Sequence, residues 1–94
     1  MKSREQRKGE LEDVLRNLDY ENVQVRVDVE RGRKLVAVVT TPDFQGMDEA
    51  ERQAQVWRRI YETLDEEDHQ LIEFVFTNTP KEEEEMEQRS RETG

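Results

Sequence analysis

The hydrophobic positions of this chain change their period along the sequence, and each change marks a predicted element. Near the start, apolar residues recur at spacings of three and four, which predicts one buried face of a helix. These residues are Leu11, Val14, Leu15 and Leu18. Residues 23–29 then alternate strictly between valine and polar side chains, which predicts a strand with one buried and one wet face.

The second half of the pattern predicts a buried strand, a long helix and a third strand. Residues 35–39 are apolar throughout, as in a strand that lies in the middle of a sheet, and Pro42 ends it. Asp48 and Glu51 resemble a capping box, so a helix is expected from about residue 47 or 48. Its predicted apolar stripe consists of Ala50, Ala54, Val56, Trp57, Ile60, Tyr61 and Leu64. Residues 71–77 form the third predicted strand, and Pro80 stops it.

This order of elements predicts one α+β fold, α-β-β-α-β. Gly32 lies in a short polar link that is typical of a hairpin, so the first two strands should be antiparallel. A helix joins the second strand to the third, so these two should be parallel through a right-handed crossover. We therefore expect a three-stranded mixed sheet of order 1-2-3 with the helices on one face. The predicted organisation is a flexible basic N-terminus (1–9), a single domain (10–80) and an acidic disordered tail (81–94). A first helix that runs back to Ser3 is the alternative for the N-terminus.

Composition narrows the function classes. Charged residues make up 41% of the chain and the formal net charge is −9, so phosphate is repelled and nucleic acid is a disfavoured partner. The absence of cysteine excludes disulfides, thiol catalysis and clusters ligated by cysteines of this chain. One histidine and no Gly-rich phosphate loop give little support to an enzyme. No apolar run suggests a membrane span or signal peptide, and a cytoplasmic protein is expected.

Three short motifs in this order resemble a known family. They are Phe44-Gln45-Gly46 at the end of the second strand, Arg52-Gln53 in the following helix, and Thr79-Pro80-Lys81-Glu82 after the third strand. Together with Val56-Trp57 they resemble the BolA-like family, whose fold is related to the type II KH domain. The resemblance covers about residues 10–82. From the residues themselves, Phe44 should fill the space between strand and helix, and Gly46 should permit a turn with positive φ.

The resemblance implies a non-enzymatic adaptor or stress-response regulator that binds a protein partner, in particular a monothiol glutaredoxin, as a monomer or weak dimer. The family's Arg-His pair reads Arg52-Gln53 here, and the hairpin link has neither Cys nor His. Family members that share an iron–sulfur cluster with a glutaredoxin use a histidine near the third strand. Counting back from Thr79 places Leu71 there, and only a two-residue slip would place His69 there. We therefore expect no metal or cofactor of this chain's own, with His69 the single weak candidate ligand.

The expected partner-binding surface is the start of the long helix with the end of the third strand. Its candidate residues are Arg52, Gln53, Gln55, His69 and Thr79. Trp57 could anchor a partner, although its place on the stripe favours core packing.

Two other functions stay open. One is a KH-like nucleic-acid-binding regulator that uses basic residues, although the Gly-x-x-Gly loop of KH domains is missing. Its candidate residues are Arg31, Arg33, Lys34 and Arg58, with the basic N-terminus. The other is a small acidic chaperone or inhibitor of a basic protein. The acidic run 65–68 lacks the spacing of a calcium loop and is expected to be solvated.

Overall fold

The computed structural model of the chain describes residues 2–30 and 34–93. Four helices and three strands are present in this part of the chain. In order they are α1 (Arg4–Arg16), β1 (Gln24–Val29), β2 (Leu35–Thr40), α2 (Glu49–Thr63), α3 (Glu66–Gln70), β3 (Ile72–Asn78) and α4 (Pro80–Thr93). A single 3₁₀ turn, Pro42–Phe44, links β2 to α2.

The sheet has the predicted order β1-β2-β3. β1 pairs with β2 antiparallel, with Val27 opposite Ala37, and β2 pairs with β3 parallel, with Ala37 opposite Val75. The apolar strand is therefore central, as predicted, and the α+β fold is confirmed. A register irregularity at Glu73 separates the pairing of Ile72 from that of Phe74.

The core lies between one face of the sheet and the helices α1 and α2. Because side chains alternate along a strand, every second residue of β2 reaches this core. The buried apolar residues are Leu11, Val14, Leu15, Leu18, Val27, Leu35, Ala37, Val39, Phe44, Val56, Ile60, Ile72 and Val75. The face of the sheet away from α1 and α2 is different, because Phe74 and Phe76 stay 48% and 40% exposed there.

The buried stripe of α2 differs from the predicted one. Ala50, Ala54 and Tyr61 are exposed, whereas Val56 and Ile60 are fully buried. The third buried residue of the helix is Arg52, one turn before Val56. The pattern of apolar residues could not predict which face of α2 is buried, because one of the buried positions is an arginine, which the pattern assigns to the polar face.

Part of the segment predicted as a flexible N-terminus (residues 1–9) belongs to a helix, since α1 begins at Arg4. Ser3 and Gln6 form a capping box, in which each side chain accepts from the backbone N–H of the other residue. Lys2 and Arg7 both donate to the carboxylate of Asp68 in α3, which is buried. Capping and ion pairing together order the first turns.

The described part of the segment predicted as a disordered tail (residues 81–94) belongs to α4, which continues to Thr93. Pro80 stands at the first helical position, where its missing N–H costs nothing, and glutamates in the first turn favour the helix dipole. The acidic run 65–68, expected as a solvated end of the long helix, lies at a separate short helix, α3. Within the described residues, no helix combines the length and apolarity needed to cross a membrane.

Candidate functional site

The three sequence motifs meet at one place, which we call the Arg52 junction. It comprises the turn Phe44–Gly46, the first turn of α2 around Arg52 and Gln53, and the segment Thr79–Glu82 between β3 and α4. Arg52 lies at its centre, and its side chain is 9% exposed.

Arg52 joins the three segments through one guanidinium group. Its Nε donates to the carbonyl of Met47 at 3.0 Å, beside the turn. Its Nη1 donates to the carbonyl of Thr77 at 3.1 Å and to the carboxylate of Glu82 at 2.8 Å. The guanidinium carbon also lies 5.6 Å from the centre of the Phe44 ring, within cation–π range. A planar group with several fixed donors suits this task, which a lysine could not perform in the same way.

Gln53 connects α2 to the free edge of β3 through hydrogen bonds. Its Nε2 donates to the carbonyl of Val75 at 2.7 Å and contacts Thr77 Oγ1 at 3.3 Å. Its Oε1 accepts from Trp57 Nε1 at 3.0 Å. Arg52 and Gln53 thus occupy two carbonyls of an edge strand, which limits pairing of this edge with another chain.

Thr79 and Glu82 form a second capping box, at the start of α4. The backbone N–H of Thr79 donates to the Glu82 carboxylate at 2.7 Å, and Thr79 Oγ1 accepts from the N–H of Glu82 at 3.2 Å. The hydrogen bond from Arg52, followed by that from the Thr79 backbone, lowers the pKa of Glu82. Glu82 therefore ties the buried arginine to the C-terminal helix.

The turn before α2 has the predicted roles. Phe44 is fully buried and contacts the Tyr20 ring edge-to-face at 5.0 Å between centroids. Gly46 has φ of 82°, where a side chain would be strained. Asp48 caps α2 by accepting from the N–H of Glu51 at 2.8 Å. These contacts fix where α2 begins, and so where Arg52 points.

An open groove of about 550 Å³ lies over the junction. Its floor includes the Arg52–Glu82 ion pair, and exposed residues form its sides. The exposed residues that line it are Pro42, Gln45, Gly46, Pro80, Lys81 and Glu85. Sequence reasoning named Gln45 and Lys81 only as parts of motifs; their shared groove depends on the tertiary arrangement.

The remaining predicted partner-binding residues lie elsewhere. Gln55 is exposed and accepts from the Tyr20 hydroxyl at 2.6 Å, beside Arg58 in a separate cleft. Burial, then the charges of Asp43 and Glu51, raise the pKa of Tyr20. Thr79 belongs to the junction, as do Arg52 and Gln53, so the structure brings together three of the five predicted residues.

His69 lies in α3, away from the junction. Its ring meets the Tyr61 ring edge-to-face at 4.8 Å, and its Nε2 is buried without a hydrogen-bond partner. Over the described residues, no group of three or more His, Cys, Asp or Glu could hold a metal ion.

Of the candidate nucleic-acid residues, Arg31 and Arg33 lie outside the described residues. Lys34 is exposed and donates to the carbonyl of Gln70, whereas Arg58 lies on α2 in the cleft with Gln55. The described part of the chain does not bring these two cations into one cleft.

The architecture is similar to that of a known protein. BolA1 from Arabidopsis thaliana superposes with a TM-score of 0.54, over 87% of this chain and 98% of that chain. The chain has a BolA-like fold. The two sequences are 16% identical, and no protein-family model or curated protein sequence matches this chain. The assignment of a BolA-like fold therefore rests on the architecture, and it agrees with the resemblance of the three motifs.

By the motif resemblance, Gln53 stands where the BolA-like family has the histidine of its Arg-His pair. Its amide donates to one group and accepts from another, as a neutral imidazole also can. Gln53 thus supplies a donor toward β3 and an acceptor for Trp57.

Proposed function

We propose that this chain is a non-enzymatic, cytoplasmic adaptor or regulator of the BolA type that binds a protein partner, a monothiol glutaredoxin, at the groove over the Arg52 junction. The observation that carries the proposal is the meeting of all three motifs around one buried arginine. The exposed residues of the motifs, Gln45 and Lys81, line the groove over this arginine, where a partner can reach them.

The surface of the groove suits a protein partner. Exposed prolines and Gly46 leave backbone accessible, while Gln45 and Lys81 offer polar contacts at the rim. The floor is held by Arg52, so the groove is preformed, and a preformed surface loses little entropy on binding.

A shared iron–sulfur cluster does not fit the residues present. His69 is the single Cys or His of the chain, and its Nε2 is buried against its own protein. It lies in α3, before β3 begins, and not at the junction. The proposed adaptor therefore binds its partner through polypeptide contacts and contributes no cluster ligand.

Titration calorimetry with a purified monothiol glutaredoxin, in apo and cluster-loaded forms, tests this proposal. We expect both forms to bind, and we expect Lys81→Glu and Gln45→Glu each to weaken binding several-fold. Lys34→Glu, which makes the same charge change as Lys81→Glu but away from the groove, is the matched control for that variant and should bind as the parent chain does.

Two outcomes would contradict the proposal separately. No binding of either form would exclude the glutaredoxin as the partner. Binding that Lys81→Glu and Gln45→Glu leave unchanged would place the contact elsewhere. His69→Ala should leave the visible spectrum of the cluster-loaded mixture unaltered, and a changed spectrum would restore His69 as a ligand.

A further inference from the structure

The sheet face opposite α1 and α2 carries an apolar patch, which we call the open face. It consists of Val36, Val38, Phe74 and Phe76. Val36 pairs with Phe74 and Val38 with Phe76, so the four side chains form two adjacent rows. The phenylalanine rings lie 4.6 Å apart between centroids, and both rings stay about half exposed. An exposed cluster of this kind marks an interaction surface more often than a scattered exposed residue does.

The helix α4 forms a wall beside the open face. Glu83 and Glu87, one turn apart on α4, line a cavity of about 200 Å³ together with Val38 and Thr40 of β2 and Arg26 of β1. Glu83 also accepts from Asn78 Nδ2 at 3.0 Å, which holds the first turn of α4 beside the end of β3. The sheet and α4 thus form a cleft in which the sheet provides apolar residues and α4 provides acidic ones.

The charges around the open face are predominantly negative. Arg26 and Asp28 of β1 pair with each other at 3.5 Å, so they contribute no net charge. Glu73 is exposed at the irregularity beside Phe74, and Glu83 and Glu87 stand on the wall. The chain as a whole carries −9. A second copy, a nucleic acid or an anionic membrane would each bring further negative charge to this surface.

We propose that the open face is the docking surface for a basic amphipathic segment of a partner protein. Apolar side chains of the segment cover Phe74 and Phe76, and its lysines or arginines face Glu73, Glu83 and Glu87. The exposed ring faces also attract cations directly. This surface is distinct from the groove over the Arg52 junction, and the inference does not depend on the proposed function.

A synthetic peptide that alternates leucine and lysine is the probe, and backbone amide shifts of the full chain in NMR titration are the readout. We expect shifts concentrated on β2, β3 and the first turns of α4, and few on α1. A leucine–glutamate peptide and a serine–lysine peptide of equal length separate the electrostatic from the apolar contribution. Both should bind at least about tenfold more weakly, since each lacks one of the two contacts.

Variants locate the contact. Phe74→Ser with Phe76→Ser should weaken binding of the leucine–lysine peptide about tenfold or more, whereas Tyr61→Ser removes an aromatic ring that is 61% exposed on α2 and should have no effect. Glu83→Gln with Glu87→Gln should weaken binding several-fold and reduce its dependence on salt. Glu66→Gln with Glu67→Gln removes two exposed charges from α3 and is the matched control.

Three results would overturn the inference. The first is the absence of localised shifts in the parent chain, a measurement that does not depend on any variant folding. The second is equal binding of the serine–lysine peptide, which would reduce the effect to charge alone. The third is sedimentation that shows a dimer dissociated by the Phe74 and Phe76 substitutions, because the occupant would then be a second copy.

Discussion

The helices at the two ends of the chain, α1 and α4, are both highly charged and both begin with a capping box, yet the protein holds them differently. α1 buries Leu11, Val14 and Leu15, all in its second half, against the core. The described side chains of α4 beyond its first turn, residues 84–89, are exposed. In the first turn of α4, Glu82 and Glu83 accept hydrogen bonds from α2 and β3.

This difference separates two sources of helical order. A cap and a favourable first turn start a helix, but apolar packing is what normally makes it persist in water. α1 has both, whereas α4 depends on its attachment to the Arg52 junction. Glu83 and Glu87, at i and i+4, even repel each other. The attachment at Glu82 thus determines whether the wall beside the open face is present.

Removing a core contact of α1 should have the largest effect. Leu15 is fully buried, so Leu15→Ala should lower the free energy of unfolding by about 2–5 kcal/mol. Met86 of α4 is 47% exposed, and Met86→Ala should change the free energy of unfolding by no more than about 0.5 kcal/mol. Urea unfolding followed by Trp57 fluorescence and by circular dichroism measures both. An equal cost for Met86→Ala would mean that α4 packs on the body of the protein as α1 does.

Removing the two caps should cost less and should affect the two helices unequally. Thr79→Ala and Ser3→Ala each delete a side chain that accepts from the third helical N–H, worth about 0.5–2 kcal/mol to the local helix. Because the described side chains of α4 form no buried stripe, Thr79→Ala should reduce amide-exchange protection throughout α4. Ser3→Ala should affect only the residues before Leu11.

Thr79→Ser, which keeps the accepting hydroxyl, is the control for this pair. It should retain the exchange protection of α4. If Thr79→Ala left that protection intact, then contacts beyond the first turn would be holding α4, and its contrast with α1 would disappear.

The sequence predicted correctly the elements that are stabilised by burying apolar side chains. Alternation in β1 and the apolar run of β2 led to the correct sheet, since a one-residue slip would have exposed every core side chain. The two helix starts at the chain ends were missed because their signals are polar. Gly9 favoured a later start of α1 over the alternative start at Ser3, and the Thr79–Glu82 pair entered only as part of a motif.

The sequence predicted several residues of the candidate site, but it did not predict how the fold arranges them. Arg52, Gln53 and Thr79 were named from motifs, and the fold brings them together. Gln55 and His69 were grouped with them along the sequence, yet the turn of α2 and the separate helix α3 place them elsewhere. That Arg52 is buried could not be deduced from periodicity, because its burial depends on acceptors at Met47, Thr77 and Glu82, supplied by three separate segments.

The pH dependence of α4 should show the smallest effect, and it isolates the attachment at Glu82. The pKa of Glu82 is lowered in the folded protein, first by the hydrogen bond from Arg52 and then by that from the Thr79 backbone. The folded state therefore binds this proton less readily than the unfolded state does. The resulting stabilisation is complete above the pKa of an unfolded glutamate, about 4.3, and is lost as the pH falls below it toward the lowered value.

Glu82→Gln should therefore flatten the acid side of the stability curve relative to the parent chain, measured by urea unfolding at several pH values between about 6 and 3. The side chain of Glu82 is 44% exposed, so solvent screens the ion pair and the change in slope should be small. Glu84→Gln removes the same charge from an exposed position of α4 and should leave the slope nearer to that of the parent. Identical slopes for the two variants would show that α4 responds to its total charge, and that the buried arginine does not hold it in place through Glu82.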